Sequence, residues 1–256
     1  MEIKRSGITF FQLFFLSFSY VFSGLFLVGV RSFLPMLLTL CALILFSAAG
    51  FFFLEYAPRV FAEKGRLLSF LSMGKTHFPT KILAFFLVLT AATEALLSVI
   101  AFSVSARKSA AFLPFWLIFS VILAFAVFMA YHGITAVGRF SELMAFLVLP
   151  LIFRLVFWDL QPILLGDFSE NIYAFFLVTP APIFYLLSMT VSESTAMPKT
   201  VDLRFFPIVC FFGGCAAVLC MILFRLYGVG ETNIFFLFFG WMTSAVRVGT
   251  LFCVRI

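Results

Sequence analysis

Glu94 is the residue whose type and position most directly suggest chemistry, because it lies in the middle of the apolar run LVLTAATEALLSVI, beside Thr93 and Ser98. An ionised side chain at the centre of a membrane helix costs about 2.5–3.5 kcal/mol on insertion scales, so such a group faces a cavity or a partner. Glu94 could contact the amine of a ligand or carry a proton. The alternative is a protonated carboxyl group that bonds only to a neighbouring helix.

Two further stretches could expose backbone groups to a ligand. Around Ser23 and Gly24, in FLSFSYVFSGLFLVG, a membrane helix could unwind, so that freed N–H groups bind a carboxylate and freed C=O groups bind a cation. Tight helix packing through small residues explains this stretch equally well. Thr179 and Pro180, in VTPAPIFYLL, predict a break or kink, because each proline removes an amide donor and crowds the preceding turn.

The other charged side chains in apolar runs have simpler explanations. Arg154 and Arg247 lie within several residues of the ends of their runs, so we expect their guanidinium groups to reach the membrane interface. Arg139 and Glu142 are close enough in sequence to form a pair at a helix end, or they anchor a membrane boundary.

The elements that carry these residues are predicted to be membrane helices. Of the 256 residues, 64% are hydrophobic and 11% are charged, and the mean hydropathy is +1.20, whereas a soluble domain is usually about half apolar. A membrane helix needs about 20 mostly apolar residues. We therefore predict an all-α, polytopic membrane protein with eight transmembrane helices, at residues 8–30, 33–54, 82–103, 111–130, 143–158, 172–190, 205–226 and 233–254.

The positions of the basic residues predict the orientation of these spans. With a cytoplasmic N-terminus, most Lys and Arg residues fall on the inner side, and the outer segment after the fifth span carries Asp159, Asp167 and Glu170 without a basic residue. We therefore expect both termini in the cytoplasm and assign the net charge of +6 to topology, not to nucleic-acid binding. The first apolar run is too long for a signal-peptide core and is expected to remain as the first span.

The longest connection between predicted spans covers residues 55–81. Its apolar residues recur at roughly helical spacing among Arg59, Lys64 and Arg66. This segment could form a helix that lies in the inner membrane interface, or it could be a connector whose basic side chains hold the positive side in.

No pattern in the sequence predicts catalysis or a cofactor. Phosphate-binding, zinc-protease and serine-hydrolase motifs are absent, and the two histidines, His77 and His132, are far apart. The five cysteines match no metal-ligand spacing and are expected to be buried apolar residues. We therefore expect no enzyme, no metal site and no cofactor.

Three segments resemble the B subunits of bacterial spore germination receptors, a family of the amino acid–polyamine–organocation transporter superfamily. They are ITFFQLFFLSFSYVFSG, YHGITAVGRFSELMAFLVLPLIF and ETNIFFLFFGWMTSAVRVGTLF, and the resemblance runs in register along the whole chain. It implies two inverted repeats of five helices, in which the first and sixth helices are broken around a small-molecule site flanked by the third and eighth. Residues 1–158 would form the first repeat of one integral membrane domain, and residues 172–256 would form the first three helices of an incomplete second repeat.

The resemblance also implies a ligand site and partners. In the family the ligand is typically an amino acid or a similar nutrient, sensed at the spore inner membrane together with A and C subunits. Combined with the residues singled out above, it assigns ligand binding to Ser23, Gly24, Thr93, Glu94, Thr179, Pro180, Trp241 and Thr243. The segment VTPAPIFYLL lacks the glycine and glutamate that relatives often carry at this break, so the identity of the ligand is not carried over.

Three functions are consistent with the sequence. The first is a nutrient receptor of the germination type, in which ligand binding shifts a conformational equilibrium that partner subunits detect. The second is a proton-coupled amino acid permease on the same scaffold. If Arg154 stands where some proton-coupled relatives carry a lysine, its fixed charge would suit a sensor better than a pump, because arginine does not release its proton. The third is a structural membrane subunit without a ligand.

Overall fold

The computed structural model describes residues 8–28, 34–56, 77–109, 114–144, 146, 205–226 and 234–253. These residues are all-α, and no strand occurs among them. In chain order, the helices are α1 (Phe10–Val28), α2 (Leu34–Tyr56), α3 (His77–Ser109), α4 (Phe115–Tyr131), α5 (134–144), α6 (Phe205–Leu226) and α7 (Ile234–Phe252).

Six of the eight predicted apolar stretches correspond to these helices. α1, α2, α4, α6 and α7 end within a few residues of the predicted bounds, whereas α3 extends beyond the predicted 82–103 at both ends. The predicted fifth span overlaps α5 only at its start, and its residues from 147 onward lie outside the described residues. The predicted span 172–190 and most of the connection 55–81, with its candidate interfacial helix, also lie outside them.

One helix in the described part of the chain is long and apolar enough to cross a membrane. It is the segment Pro207–Phe224 of α6, with a mean hydropathy of 2.4. Shorter apolar helical stretches occur at Phe10–Phe26, Leu37–Ala49, Leu89–Val104 and Phe115–Tyr131.

α1 lies at the centre of the helix packing. Its side chains from Gln12 to Phe26 are buried all round the helix, apart from the half-buried Phe14. The helix contacts α3, α6 and α7, while α7 also contacts α3 and α4, and α2 packs on α6. A helix that is buried all round its circumference lies in the interior of a helix bundle. Helices from both predicted halves of the chain therefore pack against one another.

The first turn of α1 is held by a capping box. The backbone N–H of Gln12 donates to Thr9 Oγ1, and the backbone N–H of Thr9 donates to Gln12 Oε1, both at 3.2 Å. This reciprocal pattern satisfies two backbone donors at a helix start. Gln12 Nε2 also donates to Glu142 Oε2 of α5, at 3.4 Å, so the cap connects α1 to α5.

A glycine separates α4 from α5. Gly133 has a φ of +86°, in the left-handed region that favours glycine, and its N–H donates to the carbonyl oxygen of Ala130 at 3.0 Å. This geometry is typical of a helix C-terminus, where a left-handed residue ends the helix. The chain can therefore change direction directly after α4.

A second glycine allows α1 and α6 to approach closely. A Cβ atom on Gly213 would overlap the backbone carbonyl oxygen of Phe14. Ser17 Oγ donates to the carbonyl oxygen of Cys210 at 2.7 Å in the same interface. Small residues at helix interfaces let backbones come this close.

The Gly213→Ala variant is expected to lose about 1–3 kcal/mol of stability, because overlap with a backbone atom cannot be relieved by rotating a side chain. Gly249→Ala is the matched control, since its Cβ would meet the flexible end of Met129 at 3.2 Å. We expect the control to change stability by less than about 1 kcal/mol. Thermal unfolding of the purified variants in detergent measures both, and equal losses would contradict a special role for Gly213.

A buried polar cluster as the candidate functional site

Three helices each contribute one polar side chain to a cluster deep inside the protein. Tyr20 of α1, Glu94 of α3 and Arg247 of α7 are 1%, 8% and 0% exposed. We call these three residues the central cluster. Arg247 is the largest of the fully buried side chains in the described part of the chain.

The central cluster is built around one carboxylate oxygen. Arg247 Nη2 donates to Glu94 Oε1 at 2.6 Å, which forms a buried ion pair. The hydroxyl group of Tyr20 donates to the same oxygen. Hydrogen bonds to ionised groups are shorter and stronger than neutral ones, so Glu94 is held firmly between α1 and α7.

Tyr20 contacts the cation as well as the anion. The guanidinium carbon of Arg247 lies 4.4 Å from the centre of the Tyr20 ring, within the range of a cation–π interaction. Arg247 Nη1 also donates to the backbone carbonyl oxygen of Tyr20 at 3.4 Å. Removing one member of a buried ion pair costs about 3–5 kcal/mol, because the other charge is left uncompensated. The three residues therefore depend on one another.

A layer of hydroxyl groups lies one turn away from the central cluster. Ser23 Oγ donates to Ser244 Oγ at 3.0 Å, and Ser244 Oγ donates to the carbonyl oxygen of Gly240 at 2.7 Å. Ser23 follows Tyr20 on α1 by three positions, whereas Ser244 precedes Arg247 on α7 by three positions. α1 and α7 are therefore antiparallel at this level.

An aromatic pair lies beyond this layer between α3 and α7. The rings of Phe102 and Trp241 meet edge to face, with centroids 5.7 Å apart. Together with the pair of Glu94 and Arg247, this contact shows that α3 and α7 are also antiparallel. Ser98 lies between the two contacts on the buried face of α3 and is 0% exposed.

The structure brings several of the predicted site residues together. Ser23 and Gly24 are buried on α1, and Glu94 belongs to the central cluster. Thr243 is buried on α7, where its hydroxyl group donates to the carbonyl oxygens of Phe239 and Gly240 at 3.0 and 3.1 Å. The hydroxyl group of Thr243 therefore donates within α7 and not to another helix.

The remaining predicted residues have different positions. Thr93 lies on the exposed face of α3, although its neighbour Glu94 is buried, because consecutive helix positions point about 100° apart. Its hydroxyl group donates to the carbonyl oxygen of Leu89. It is therefore not part of the central cluster. Trp241 is half-buried beside Phe102. Thr179 and Pro180 lie outside the described residues.

The expected break in the first helix is not present. α1 is continuous from Phe10 to Val28 and passes through Ser23 and Gly24 without interruption. Of the two explanations of this stretch, tight packing is the one that the structure favours, because the side chains of α1 are enclosed and the Ser23 hydroxyl group bonds across to Ser244.

The prediction that Arg247 reaches the membrane interface is wrong. Its side chain is fully enclosed and pairs with a carboxylate 153 positions away in the sequence. The proximity of Arg247 to the end of α7 was misleading, because the distance to a helix end gives no information on what lies across the interface. Tyr20 was also missed. An available signal was the presence of one acidic and one basic residue in separate apolar runs, since such charges need partners.

No group of three or more His, Cys, Asp or Glu residues that could hold a metal ion occurs within the described ranges. The charged and hydroxyl groups of the central cluster can bind opposite charges, exchange ion-pair partners and donate hydrogen bonds.

Single and double variants test the interdependence of the central cluster. Glu94→Gln and Arg247→Met should each destabilise the protein by about 3–5 kcal/mol, because each leaves a buried charge without its partner. The double variant removes both charges and should cost clearly less than the sum, with a coupling energy near the upper end of the usual range of about 0.5–3 kcal/mol.

Thr93→Val combined with Arg247→Met provides the control for this cycle. Thr93 lies on the exposed face of α3, so its effect should add to that of Arg247→Met within about 0.3–0.5 kcal/mol. The measurement is the free energy of unfolding in detergent. Additive effects of the Glu94 and Arg247 substitutions would contradict the ion pair.

Comparisons of this chain with known protein families, with curated proteins and with solved structures find no match.

Proposed function

We propose that the chain is a polytopic membrane protein of the germination-receptor B-subunit type, which binds a small nutrient, an amino acid, beside the central cluster. Ligand binding would shift a conformational equilibrium that A and C subunits detect at the spore inner membrane. The observation that carries this proposal is the buried ion pair between α3 and α7, to which Tyr20 of α1 bonds. The observations below support its separate parts.

The distribution of polar and apolar side chains supports a membrane environment. Large apolar residues such as Leu45, Phe85 and Leu219 are 60–69% exposed, whereas Ser17 and Ser23 are completely buried. Soluble monomers rarely expose large contiguous apolar surfaces. Lipid tails are the solvent that accepts this arrangement, since they favour apolar groups outside and polar groups in the interior.

The aromatic residues of α4 fit the same environment. Trp116 and Tyr131, at opposite ends of the helix, are 72% and 85% exposed. They lie about 22 Å apart along the axis at a rise of 1.5 Å per residue. Tryptophan and tyrosine are enriched at the two membrane–water interfaces, so their exposure at both ends of α4 supports a membrane environment. Their separation along the axis is shorter than a hydrocarbon core of about 30 Å, so the support comes from the exposure and not from the spacing.

The directions of the described helices fit a chain that crosses the membrane several times. Both α1 and α3 are antiparallel to α7. α4 is parallel to α7, because Gly249 lies near Ala126 and Met129 while the later Cys253 lies near the later Ala130. If each helix crosses once, an odd number of crossings separates α4 from α7. The two predicted spans at 143–158 and 172–190 together with α6 give three crossings between α4 and α7, which is an odd number. With the basic residues inside, both termini would be cytoplasmic.

The charges of the central cluster match those of an amino acid. Glu94 and Arg247 place one anion and one cation side by side among apolar helices. A zwitterion offers the same two charges in the opposite sense, so its ammonium group can bind Glu94 and its carboxylate can bind Arg247 without any change in net charge. Sugars and nucleosides lack this pair of charges and would leave a separated ion pair poorly compensated.

One observation favours a structural subunit as the second candidate. Glu94 and Arg247 already neutralise each other, and Tyr20 bonds to both, so the central cluster is stable without a ligand. In this alternative, its role is to hold α1, α3 and α7 together. The two candidates differ in whether any small molecule binds.

The first experiment is a thermal-stability panel of the purified protein against single amino acids, sugars and nucleosides. A ligand that binds only the folded state stabilises it by about 2.7 kcal/mol at 100 times its Kd. We expect stabilisation by one or a few amino acids and its loss in the double variant Glu94→Gln/Arg247→Met, which should still fold because no charge is left unpaired. Absence of any response in the folded wild-type protein would favour the structural subunit.

Transport is tested separately with the intact protein in sealed vesicles. Binding of an amino acid without uptake supports the receptor. Uptake of the same amino acid, driven by a proton gradient, would contradict the receptor proposal and support the proton-coupled permease.

A further inference from the structure

We infer that Ser98 of α3 and Trp241 of α7 form a subsite for an acceptor oxygen, the carboxylate of a small ligand. The inference rests on the proposed function in that an amino acid is the natural source of this carboxylate. The subsite itself follows from two buried hydrogen-bond donors that the described part of the protein leaves unused.

Ser98 differs from the other hydroxyl residues described on α3 and α7. Its side chain is 0% exposed, and its Oγ has no hydrogen-bond partner among the described residues. Six other hydroxyl groups on the two helices each donate to a backbone carbonyl oxygen one turn earlier; they belong to Thr90, Thr93, Ser103, Thr243, Ser244 and Thr250. An unsatisfied buried polar group destabilises the folded protein, so Ser98 requires an explanation beyond helix packing.

Trp241 supplies the second unused donor. Its Nε1 is buried and has no hydrogen-bond partner within the described ranges, although its ring packs edge to face on Phe102. The indole N–H of tryptophan can only donate. A group that satisfies this nitrogen must therefore bring an acceptor.

The register of α3 and α7 places the two donors in the same region. Glu94 pairs with Arg247, and Phe102 pairs with Trp241 further along the same antiparallel interface. Ser98 lies midway between Glu94 and Phe102 on the same buried face of α3. Ser98 therefore lies on α3 between the level of the ion pair and the level of the aromatic pair that contains Trp241.

The donor set defines the chemistry of the ligand. Two neutral donors beside a guanidinium group favour a carboxylate or another oxygen acceptor. They disfavour an ammonium group, because Trp241 Nε1 cannot accept a hydrogen bond from it. Glu94 lies four positions before Ser98, about 6 Å along the helix axis. An amino acid whose carboxylate occupies the subsite would thus direct its ammonium group towards Glu94.

The continuity of α1 strengthens this assignment. The backbone N–H groups around Ser23 and Gly24 belong to an unbroken helix and are used in its own hydrogen bonds. They are not available to a ligand carboxylate. The unused donors that the structure describes near the central cluster are on α3 and α7 instead.

The test measures binding of L-alanine, propionate and propylamine by thermal stabilisation of the full chain in detergent. Propionate carries the carboxylate alone, and propylamine carries the ammonium group alone. We expect both L-alanine and propionate to stabilise the wild-type protein and propylamine to have a much smaller effect. Equal stabilisation by propylamine and propionate would overturn the subsite.

Two substitutions each remove one donor. Ser98→Ala and Trp241→Phe, which keeps an aromatic ring against Phe102, should each weaken binding of propionate and L-alanine at least about tenfold, since each removes a hydrogen bond to a charged group. Without ligand, Ser98→Ala should melt at the same or a higher temperature, because it removes an unsatisfied buried group. Ser103→Ala is the matched control, since Ser103 is buried on the same helix and its hydroxyl group already bonds to Val99.

The outcomes separate this inference from the proposed function. If L-alanine and other amino acids bind the wild-type protein and both variants equally well, the subsite is wrong and the proposed function survives. If propionate binds in a manner that depends on Ser98 and Trp241 but no amino acid binds, the subsite survives and the proposed function is wrong. Absence of stabilisation by propionate and L-alanine alike would overturn the subsite.

Discussion

The ion pair between Glu94 and Arg247 joins α3 to α7 inside the protein, and the arrangement of the central helices depends on it. Either charge alone would be expensive to bury, so the two helices must meet in a register that brings these side chains together. Tyr20 adds α1 to the same contact through its hydroxyl group, its ring and its backbone carbonyl. One electrostatic requirement thereby orients three helices from distant parts of the chain.

Close packing around α1 supports this arrangement. Gly213 lets α6 approach the backbone of α1, and Gly240 leaves room for the ring of Phe26, which a Cβ atom at that position would overlap. α1 can therefore lie between α6 and α7 with its polar residues enclosed. Serine and tyrosine side chains on α1 bond to neighbouring helices within an interior that is otherwise largely apolar.

The interface between α3 and α7 contains both a satisfied polar cluster and hydrogen-bond donors that the described residues leave unused. Glu94, Arg247 and Tyr20 neutralise and hold one another, which gives a rigid frame without a ligand. Ser98 and Trp241 lie in the adjacent part of the same interface and offer donors that the described residues do not use. A structural cluster alone would not need these donors, because an apolar residue at position 98 would avoid the cost of an unsatisfied hydroxyl group. The unused donors therefore support the proposed binding of a carboxylate in this interface.

The helical class, the approximate bounds of six helices and the need of Glu94 for a buried partner could be predicted from the sequence. These properties depend on local composition and on a single charge in an apolar run, which are visible without knowledge of neighbours. Only the folded arrangement of the helices shows that Arg247 is buried and paired, that α1 is continuous at Ser23 and Gly24, and that Thr93 lies outside the central cluster. These properties depend on contacts between residues far apart in the chain and on the rotation of each helix about its axis, and local hydropathy carries no information on either.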